Sequence, residues 1–257
     1  MVDLSNRVIL LTGASQGIGA ATAGILGEAG AQLIVHHRSA TERNDAETVV
    51  RDLAETDRLL VSGDFNDDRQ TERIWTDAVK WRGHIDVLVL NAAMMWPHGG
   101  VDDDEEIWNE SWQRHLQVNV QAPARLMRAA VRHFRQGNGG VIILISSWVA
   151  HRGVTNSSML PYAASKGAIK AVAQSIARAY AADNVLTYII APGIVRTKMS
   201  TDFAALQGGE EAVTRTLAMR EWVPPEEIGN LIAFLATGTV RHLSGATLDV
   251  NGATYIR

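Results

Sequence analysis

Short apolar runs alternate along the chain with longer segments in which apolar and polar residues recur at helical spacing. Continuous apolar runs are typical of strands that are covered on both faces of a parallel sheet. The runs that predict strands lie at 7–11, 31–36, 58–62, 86–90, 141–145, 185–190 and 247–250. The segments that predict helices lie at 20–29, 40–56, 67–81, 107–136, after Pro161, and at 224–236. This alternation predicts an α/β fold, with a doubly wound, parallel seven-stranded sheet and helices on both faces, as one domain over residues 1–257.

A glycine-rich turn joins the first predicted strand to the first predicted helix. Gly13 permits a tight turn, Gly17 allows the backbone to approach a pyrophosphate, and Gly19 allows close packing of helix and strand. The start of a helix also favours phosphate, because its first N–H groups are unpaired. The turn therefore predicts a dinucleotide site, and the alternative is a flexible turn without a ligand.

The residues after the second predicted strand bear on the choice of dinucleotide. A basic residue at this place accommodates a 2′-phosphate, whereas a carboxylate favours a free ribose. His37, Arg38 and Ser39 stand here, and no carboxylate occurs until Glu42. This favours NADP over NAD, unless Arg38 is solvated and the site accepts both. Asp64 ends the third strand, where it either binds the adenine amino group or caps the next helix.

Ser147, Tyr162 and Lys166 form the main candidate for catalysis. Tyr162 and Lys166 are four residues apart, so they share one helix face. A fixed ammonium lowers the pKa of a nearby phenol, which makes the phenol an effective acid or base. Ser147 follows a predicted strand and can hydrogen-bond the same substrate oxygen. Alone, a Tyr-x-x-x-Lys pair is also compatible with two solvated surface side chains.

Two other features allow two interpretations each, and a third segment has one. Asn119 lies in the middle of the predicted helix 107–136, where it either interrupts the backbone ladder and holds a water or is a satisfied interior amide. The acidic run 102–106 is a solvated helix start that suits the helix dipole, with a metal site as the less favoured alternative. The segment 194–222 contains helix-like pieces and two adjacent glycines, which is typical of a lid over a substrate.

Composition narrows the class of protein. The chain has 257 residues and a net charge of −4, which gives no reason to expect nucleic acid or an anionic membrane as a partner. It contains no cysteine, so a disulfide framework and a thiolate nucleophile are excluded. The first residues lack the pattern of a secretory signal, and no apolar run has membrane-spanning length. We expect a cytoplasmic protein without a metal.

With these motifs assembled, the chain resembles the short-chain dehydrogenase/reductase family, which has a single Rossmann-type domain. The resemblance covers nearly the whole chain. It depends on the motifs Thr12 to Gly19, Asp64, Asn91-Ala92-Ala93, Asn119, Ser147, Tyr162 to Lys166, and Pro192-Gly193 with Thr197. The chain departs from the family in three places. Ala93 stands where glycine is usual, and the loop between Ser147 and Tyr162 is longer than is common. Asn251-Gly252-Ala253 replaces the more usual ending with a glycine pair.

The resemblance implies an NAD(P)(H)-dependent oxidoreductase that interconverts a carbonyl and a secondary alcohol, with NADP(H) favoured. It implies that Tyr162 transfers the proton, that Ser147 orients the substrate oxygen, that Lys166 holds the nicotinamide ribose, and that Asn119 anchors a water. The cofactor contacts that it implies are Gly13, Ser15, Gln16, Gly17, Ile18, Gly19, His37, Arg38, Ser39, Asp64, Phe65, Asn91, Ala92, Ala93, Tyr162, Lys166, Pro192, Gly193, Ile194 and Thr197.

The resemblance also implies a homotetramer or homodimer that pairs through the long Asn119 helix and the Tyr162 helix. Two other functions stay open at this point. One is a dinucleotide-binding sensor or structural protein without catalysis, and the other is a lyase or epimerase that uses the same residues.

The substrate wall is predicted from apolar residues near the carboxyl edge of the sheet. They are Met94, Trp96, Trp148, Met159, Met199 and Phe203, with Met95, Leu160 and Trp222 as further members; for each, core or lid packing is the alternative. His98, His151 and Arg152 either contact a polar or anionic substrate group or are surface residues. The sequence predicts a small-molecule carbonyl or alcohol substrate but does not identify it.

Overall fold

In a computed structural model, which describes residues 2–257, seven parallel strands form one sheet in the order β3-β2-β1-β4-β5-β6-β7. The strands are β1 (Val8–Leu11), β2 (Gln32–His37), β3 (Arg58–Ser62), β4 (Val87–Leu90), β5 (Gly140–Ile145), β6 (Val185–Pro192) and β7 (Thr247–Val250). The helices are α1 (Gly17–Glu28), α2 (Arg43–Val49), α3 (Asp68–Arg82), α4 (Glu105–Leu116), α5 (Ala122–Phe134), α6 (Val149–Arg152), α7 (Leu160–Tyr180), α8 (Lys198–Ala205), α9 (Glu210–Thr216) and α10 (Pro225–Ala236). The predicted fold class is confirmed.

Both faces of the sheet are buried, which explains why its strands are apolar without alternation. Ile9 and Leu11 belong to the hydrophobic cluster on one face, whereas Val8 and Leu10 belong to the cluster on the other. Successive side chains of a strand point to opposite faces, so a strand covered by helices on both sides needs an apolar residue at every position.

Two predicted helices differ from those observed. The segment 40–56 contains only a 3₁₀ turn at Ala40–Glu42 and the short helix α2, followed by turns and a second 3₁₀ turn. The predicted helix 107–136 begins earlier and consists of α4 and α5, joined by a π-helical turn at Gln117–Gln121. Asn119 lies in that turn, where the hydrogen-bond ladder departs from the regular α-helical pattern. Such π turns are frequent at functional sites.

The segment 194–222 carries α8 and α9 and is fastened to the rest of the chain. Val195 pairs with Val223 in a parallel bridge. Trp148, at the start of α6, packs in one buried cluster with Leu217 and Trp222. Within residues 2–257, no helix is long and apolar enough to cross a membrane.

Candidate active site

A cleft with a volume of about 560 Å³ lies at the carboxyl edge of the sheet. It is lined by residues that follow β1 to β6, because all parallel strands end at this edge. The chain changes direction across the sheet between β1 and β4, and ligands of open α/β sheets bind at such a point. Residues after β2 and β3 form one end of the cleft, and residues after β4 and β5 form the other.

The glycine turn packs so closely that side chains are excluded. Gly13 has φ +66°, and a Cβ on it would lie 2.8 Å from the Cα of Ala92. A Cβ on Gly19 would lie 2.1 Å from the carbonyl oxygen of Gly13. The amide of Asn91 donates to that same oxygen at 2.9 Å, which ties the turn to the end of β4.

The start of α1 fits a pyrophosphate. Gln16, at the N-cap, makes no side-chain capping hydrogen bond, and the first turn contains no acidic residue. The first N–H groups of the helix therefore face the cleft without a competing carboxylate, and the positive end of the helix dipole favours an anion there. Ser15, Gln16, Gly17 and Ile18 line this part of the cleft.

His36, the penultimate residue of β2, supports the turn from behind. Its Nδ1 accepts a hydrogen bond from the Gly13 N–H at 3.1 Å, so the ring proton resides on Nε2, which donates to the Gly63 carbonyl at 2.8 Å. The ring stacks on Phe65 with 5.0 Å between ring centres. Burial lowers the pKa of His36 to about 4, so the ring is neutral at neutral pH. Sequence reasoning gave this residue no such role.

Three residues at the end of β2 were predicted to contact the adenosine ribose of the cofactor, and one of them lines the cleft. Arg38 reaches it, and its guanidinium pairs with the Glu42 carboxylate at 2.8 Å. Glu42 also accepts from the backbone N–H of Arg38 at 3.1 Å and itself lines the cleft. His37 and Ser39 do not line the cleft. The His37 side chain is buried, and its ring hydrogen-bonds the carbonyl of Ser39.

Asp64 lines the same end of the cleft together with Phe65. Its carboxylate accepts from the backbone and side-chain nitrogens of Asn66, each at 2.9 Å. The residue that caps α3 is Asp67, whose side chain accepts from two backbone N–H groups of the first turn. The alternative in which Asp64 caps the next helix is therefore wrong.

Ser147, Tyr162 and Lys166 all line the cleft. Ser147 follows β5, and the other two lie on the first two turns of α7, which has proline near its start as predicted. The ammonium of Lys166 donates to the carbonyl of Ile145, at the end of β5, at 2.9 Å. Its nitrogen lies 5.8 Å from the centre of the Tyr162 ring.

The two titratable groups of this trio have shifted pKa values. Burial raises the pKa of Tyr162 to about 12, and the hydroxyl of Ser147 opposes that shift. Burial lowers the pKa of Lys166 to about 8. The pKa of Tyr162 is therefore raised and not lowered as predicted, because desolvation of the phenolate dominates. At neutral pH the phenol is protonated, which suits a proton donor.

Asn119 does not line the cleft but fastens two of its walls. Its Oδ1 accepts from the N–H of Met94 at 2.9 Å, and its Nδ2 donates to the Met94 carbonyl at 2.9 Å and to the Ser165 hydroxyl at 3.0 Å. The loop after β4 and helix α7 are thereby held together. These protein partners agree with the alternative of a satisfied interior amide.

Of the nine residues predicted for the substrate wall, Met94, Trp96 and Met199 line the cleft. Trp148 instead packs in the buried cluster with Trp222. The other four do not line the cleft, and they are Met95, Leu160, Met159, which is buried before α7, and Phe203, which is half-buried on α8. Two predicted cofactor contacts are also absent from the lining, because Ile194 packs against the Trp148 cluster and Gly19 packs against Gly13.

The loop histidines and Arg152 are likewise absent from the lining. The guanidinium carbon of Arg152 lies 4.3 Å from the centre of the Trp148 ring, and neither residue lines the cleft. The lining residues that sequence reasoning missed are His36, Glu42, Gly63, Asn66, Arg114, Val118, Ile145, Ser146, Val195, Lys198 and Ser200. Arg114 belongs to the polar surface of α4, and nothing in its spacing distinguishes it from a solvated helix residue.

A comparison with known families identifies the family of the chain. The family model described as Enoyl-(Acyl carrier protein) reductase matches residues 13–253. The chain belongs to the short-chain dehydrogenase/reductase family. Human Dehydrogenase/reductase SDR family member 4 is 31% identical over 256 residues, which cover 99% of this chain and 89% of the human protein. The family resemblance inferred from the motifs is confirmed.

Two further members of the short-chain dehydrogenase/reductase family are informative. Cis-4-hydroxycyclohexanecarboxylate dehydrogenase of Sinomonas cyclohexanicum is 31% identical over 252 residues, which cover 96% of each chain. The crystal structure of 3-oxoacyl (acyl-carrier-protein) reductase from Agrobacterium tumefaciens C58 with NADP bound has 27% identity and a TM-score of 0.86, over 98% of this chain and 95% of that one. The chain is accordingly an NAD(P)-dependent oxidoreductase of this family.

Proposed function

We propose that the protein interconverts a small-molecule carbonyl compound and its secondary alcohol, with NADP(H) as the preferred cofactor and Tyr162 as the proton donor or acceptor. The observation that carries this proposal is the convergence of Ser147, Tyr162 and Lys166 on the cleft that also contains the glycine turn. The neutral phenol, with its raised pKa, is in the protonated form that reduction requires.

A nicotinamide cofactor bound in the cleft would supply the hydride for reduction of the carbonyl carbon, or accept it from the carbinol carbon in the reverse direction. The start of α1 would hold its pyrophosphate through the free N–H groups of the first turn. The Ser147 hydroxyl donates a hydrogen bond to the substrate oxygen, and Tyr162 gives that oxygen its proton. Lys166 uses one of its three donors on Ile145, which leaves two for the nicotinamide ribose. Asn119 holds α7 and the loop after β4 in register, and thereby positions the phenol.

Replacement of Tyr162 by Phe tests the proposal. The variant keeps the ring and loses the transferable proton, so we expect kcat to fall by about 10² to 10⁴ while the Kd for NADPH stays within about twofold. The assay panel contains simple ketones and 4-oxocyclohexanecarboxylate, since one relative is named for the corresponding hydroxy acid. Undiminished turnover in the variant would exclude the role of Tyr162, and cofactor binding without turnover by the wild type would favour a sensor.

The proposed preference for NADP(H) rests on Arg38. The Arg38 side chain is 64% exposed, and the guanidinium retains donors beyond those that face Glu42. We expect Arg38→Gln to weaken NADPH binding by about 10-fold or more with little effect on NADH, because a charge-assisted contact to the 2′-phosphate is lost. Glu42→Gln is the matched control, which should tighten NADPH by freeing Arg38. Tighter binding of NADH than NADPH by the wild type would contradict this preference.

We further propose that residues 194–222 act as the substrate lid, and that the protein is a cytoplasmic homotetramer or homodimer. Met199 and Ser200, on α8, line the cleft. This position supports a lid that contacts both the cofactor and the substrate. Proteolysis within α8 and α9 should slow when cofactor and product are present together. Light scattering of the purified protein measures its assembly state, and a monomeric mass would contradict the proposed assembly.

A further inference from the structure

The end of the cleft beside Tyr162 carries a positive charge that the proposed reaction does not use. We propose that Arg114 binds a carboxylate of the substrate, so that the protein acts on keto acids and hydroxy acids. This inference rests on the proposed function and names its substrate class. Arg114 lines the cleft from α4. The ring of the adjacent residue, His115, lies 6.4 Å from the ring of Tyr162, which places this part of α4 at the reacting end.

The charges that line the cleft are unevenly distributed. The two carboxylates in the lining, Glu42 and Asp64, follow β2 and β3 and therefore lie at the far end of the sheet. The lining contributed by the loop after β4, by α4 and by α7 contains the cations Arg114 and Lys166 and no acidic residue. An anionic substrate group is therefore attracted to this end, whereas at the far end the cation Arg38 is accompanied by Glu42 and Asp64.

The guanidinium of Arg114 is presented by a fixed support. It lies 5.0 Å from the centre of the Trp96 ring, in a cation–π arrangement. The backbone N–H of Trp96 donates to Nε2 of the fully buried His115 at 3.3 Å. Farther along the same loop, the Asp103 carboxylate accepts from the N–H of Gly100 at 2.9 Å. A support that is already ordered lowers the entropic cost of holding a ligand.

Arg114 also keeps donors for a second acid. Glu110, one turn earlier on α4, pairs with Nη1 at 3.1 Å and does not line the cleft. The planar guanidinium has five N–H donors, so an edge remains that can bind a carboxylate through two parallel hydrogen bonds. Lys198 is the comparable exposed cation of the lining, and its ammonium pairs with Asp202 at 2.6 Å. The fork geometry makes Arg114 the better carboxylate ligand.

The test compares 4-oxocyclohexanecarboxylate with its methyl ester, which has nearly the same shape and no charge. We expect the wild type to reduce the acid with a kcat/KM about 10- to 100-fold above that of the ester. In Arg114→Gln this advantage should disappear, through a rise in the KM for the acid, while the ester is reduced as before. Arg114→Lys should recover only part of it, because an ammonium lacks the fork.

Arg152→Gln is the matched control, because Arg152 also stacks on a tryptophan but does not line the cleft. It should leave the ratio of acid to ester unchanged. If the wild type reduces the ester and the acid equally well, or if Arg114→Gln slows both alike, the role of Arg114 is overturned and the carbonyl reductase function stands. If neither compound nor any ketone of the panel is reduced with NADPH or NADH, the proposed function fails and the inference fails with it.

Discussion

Acidification should destabilise the protein through one buried ring. His36 is 2% exposed and neutral, and its pKa is about 4 in the folded protein against an ordinary value of 6.5. Between these values the unfolded chain binds a proton that the native chain does not, so the free energy of unfolding falls as the pH falls from about 6.5 to about 4. The gap corresponds to about 3 kcal/mol, at 1.36 kcal/mol per pH unit.

Protonation of the folded ring, which occurs only near its pKa of about 4, should disturb cofactor binding. A proton on Nδ1 of His36 would face the N–H of Gly13, which now donates to that nitrogen. The hydrogen bond would become a repulsion between two donors at the base of the glycine turn. We therefore expect the Kd for the nucleotide to rise as the pH approaches about 4, at lower pH than that at which the loss of stability begins.

Urea denaturation between pH 7.5 and pH 4.5 measures the effect. In His36→Gln, whose side chain does not titrate, the loss of unfolding free energy over this interval should be smaller by about 2 to 3 kcal/mol than in the wild type. His242→Gln replaces an exposed histidine and should behave like the wild type. Identical pH profiles for wild type and His36→Gln would refute the reasoning, as would an NMR titration in which His36 is protonated near pH 6.5.

Three further changes test the packing around the site. Gly19→Ala should lower the free energy of unfolding by about 2 to 3 kcal/mol and weaken cofactor binding, because the new Cβ would clash with the Gly13 carbonyl. Gly24→Ala is the control in the same helix, where open space surrounds the residue, and it should raise the free energy of unfolding by about 0.5 to 1 kcal/mol. Asn119→Ala removes the hydrogen-bond partners of two backbone groups and one hydroxyl, so it should lower the free energy of unfolding by about 3 kcal/mol. An unchanged urea denaturation midpoint would show that these hydrogen bonds do not stabilise the protein. Lys166→Met should abolish activity yet raise the free energy of unfolding at pH 7 by about 1 kcal/mol. The reason is that a group with a pKa of about 8 is charged at pH 7, and this buried ammonium is poorly solvated. A less stable variant would contradict this prediction.

The sequence predicted best those features that follow from local patterns. The strands could be located because each is apolar at every position, and the glycine turn because its residues, Gly13 among them, are adjacent in the chain. Asn119 could be recognised as an interruption because asparagine is a poor residue for a helix interior. These signals need no knowledge of the tertiary structure.

Features that depend on tertiary contacts could not be predicted. Trp148 and Trp96 both follow strands and are both aromatic, yet Trp148 is buried against the segment 194–222 and Trp96 lines the cleft. The upward shift of the Tyr162 pKa follows from burial, which is not visible in the spacing of Tyr162 and Lys166. Arg114 was missed because helix periodicity does not show which loop will cover a polar residue.

The position of β1 between β2 and β4 has an evolutionary consequence. The gene encodes the end of the cleft with the glycine turn and Arg38 first and most of the end with Tyr162 afterwards, so the two ends can diverge under separate selection. Recombination near codon 93 would pair an inherited coenzyme preference with a new specificity. A chimera with the later part of a relative should therefore change what it reduces without changing which coenzyme it consumes.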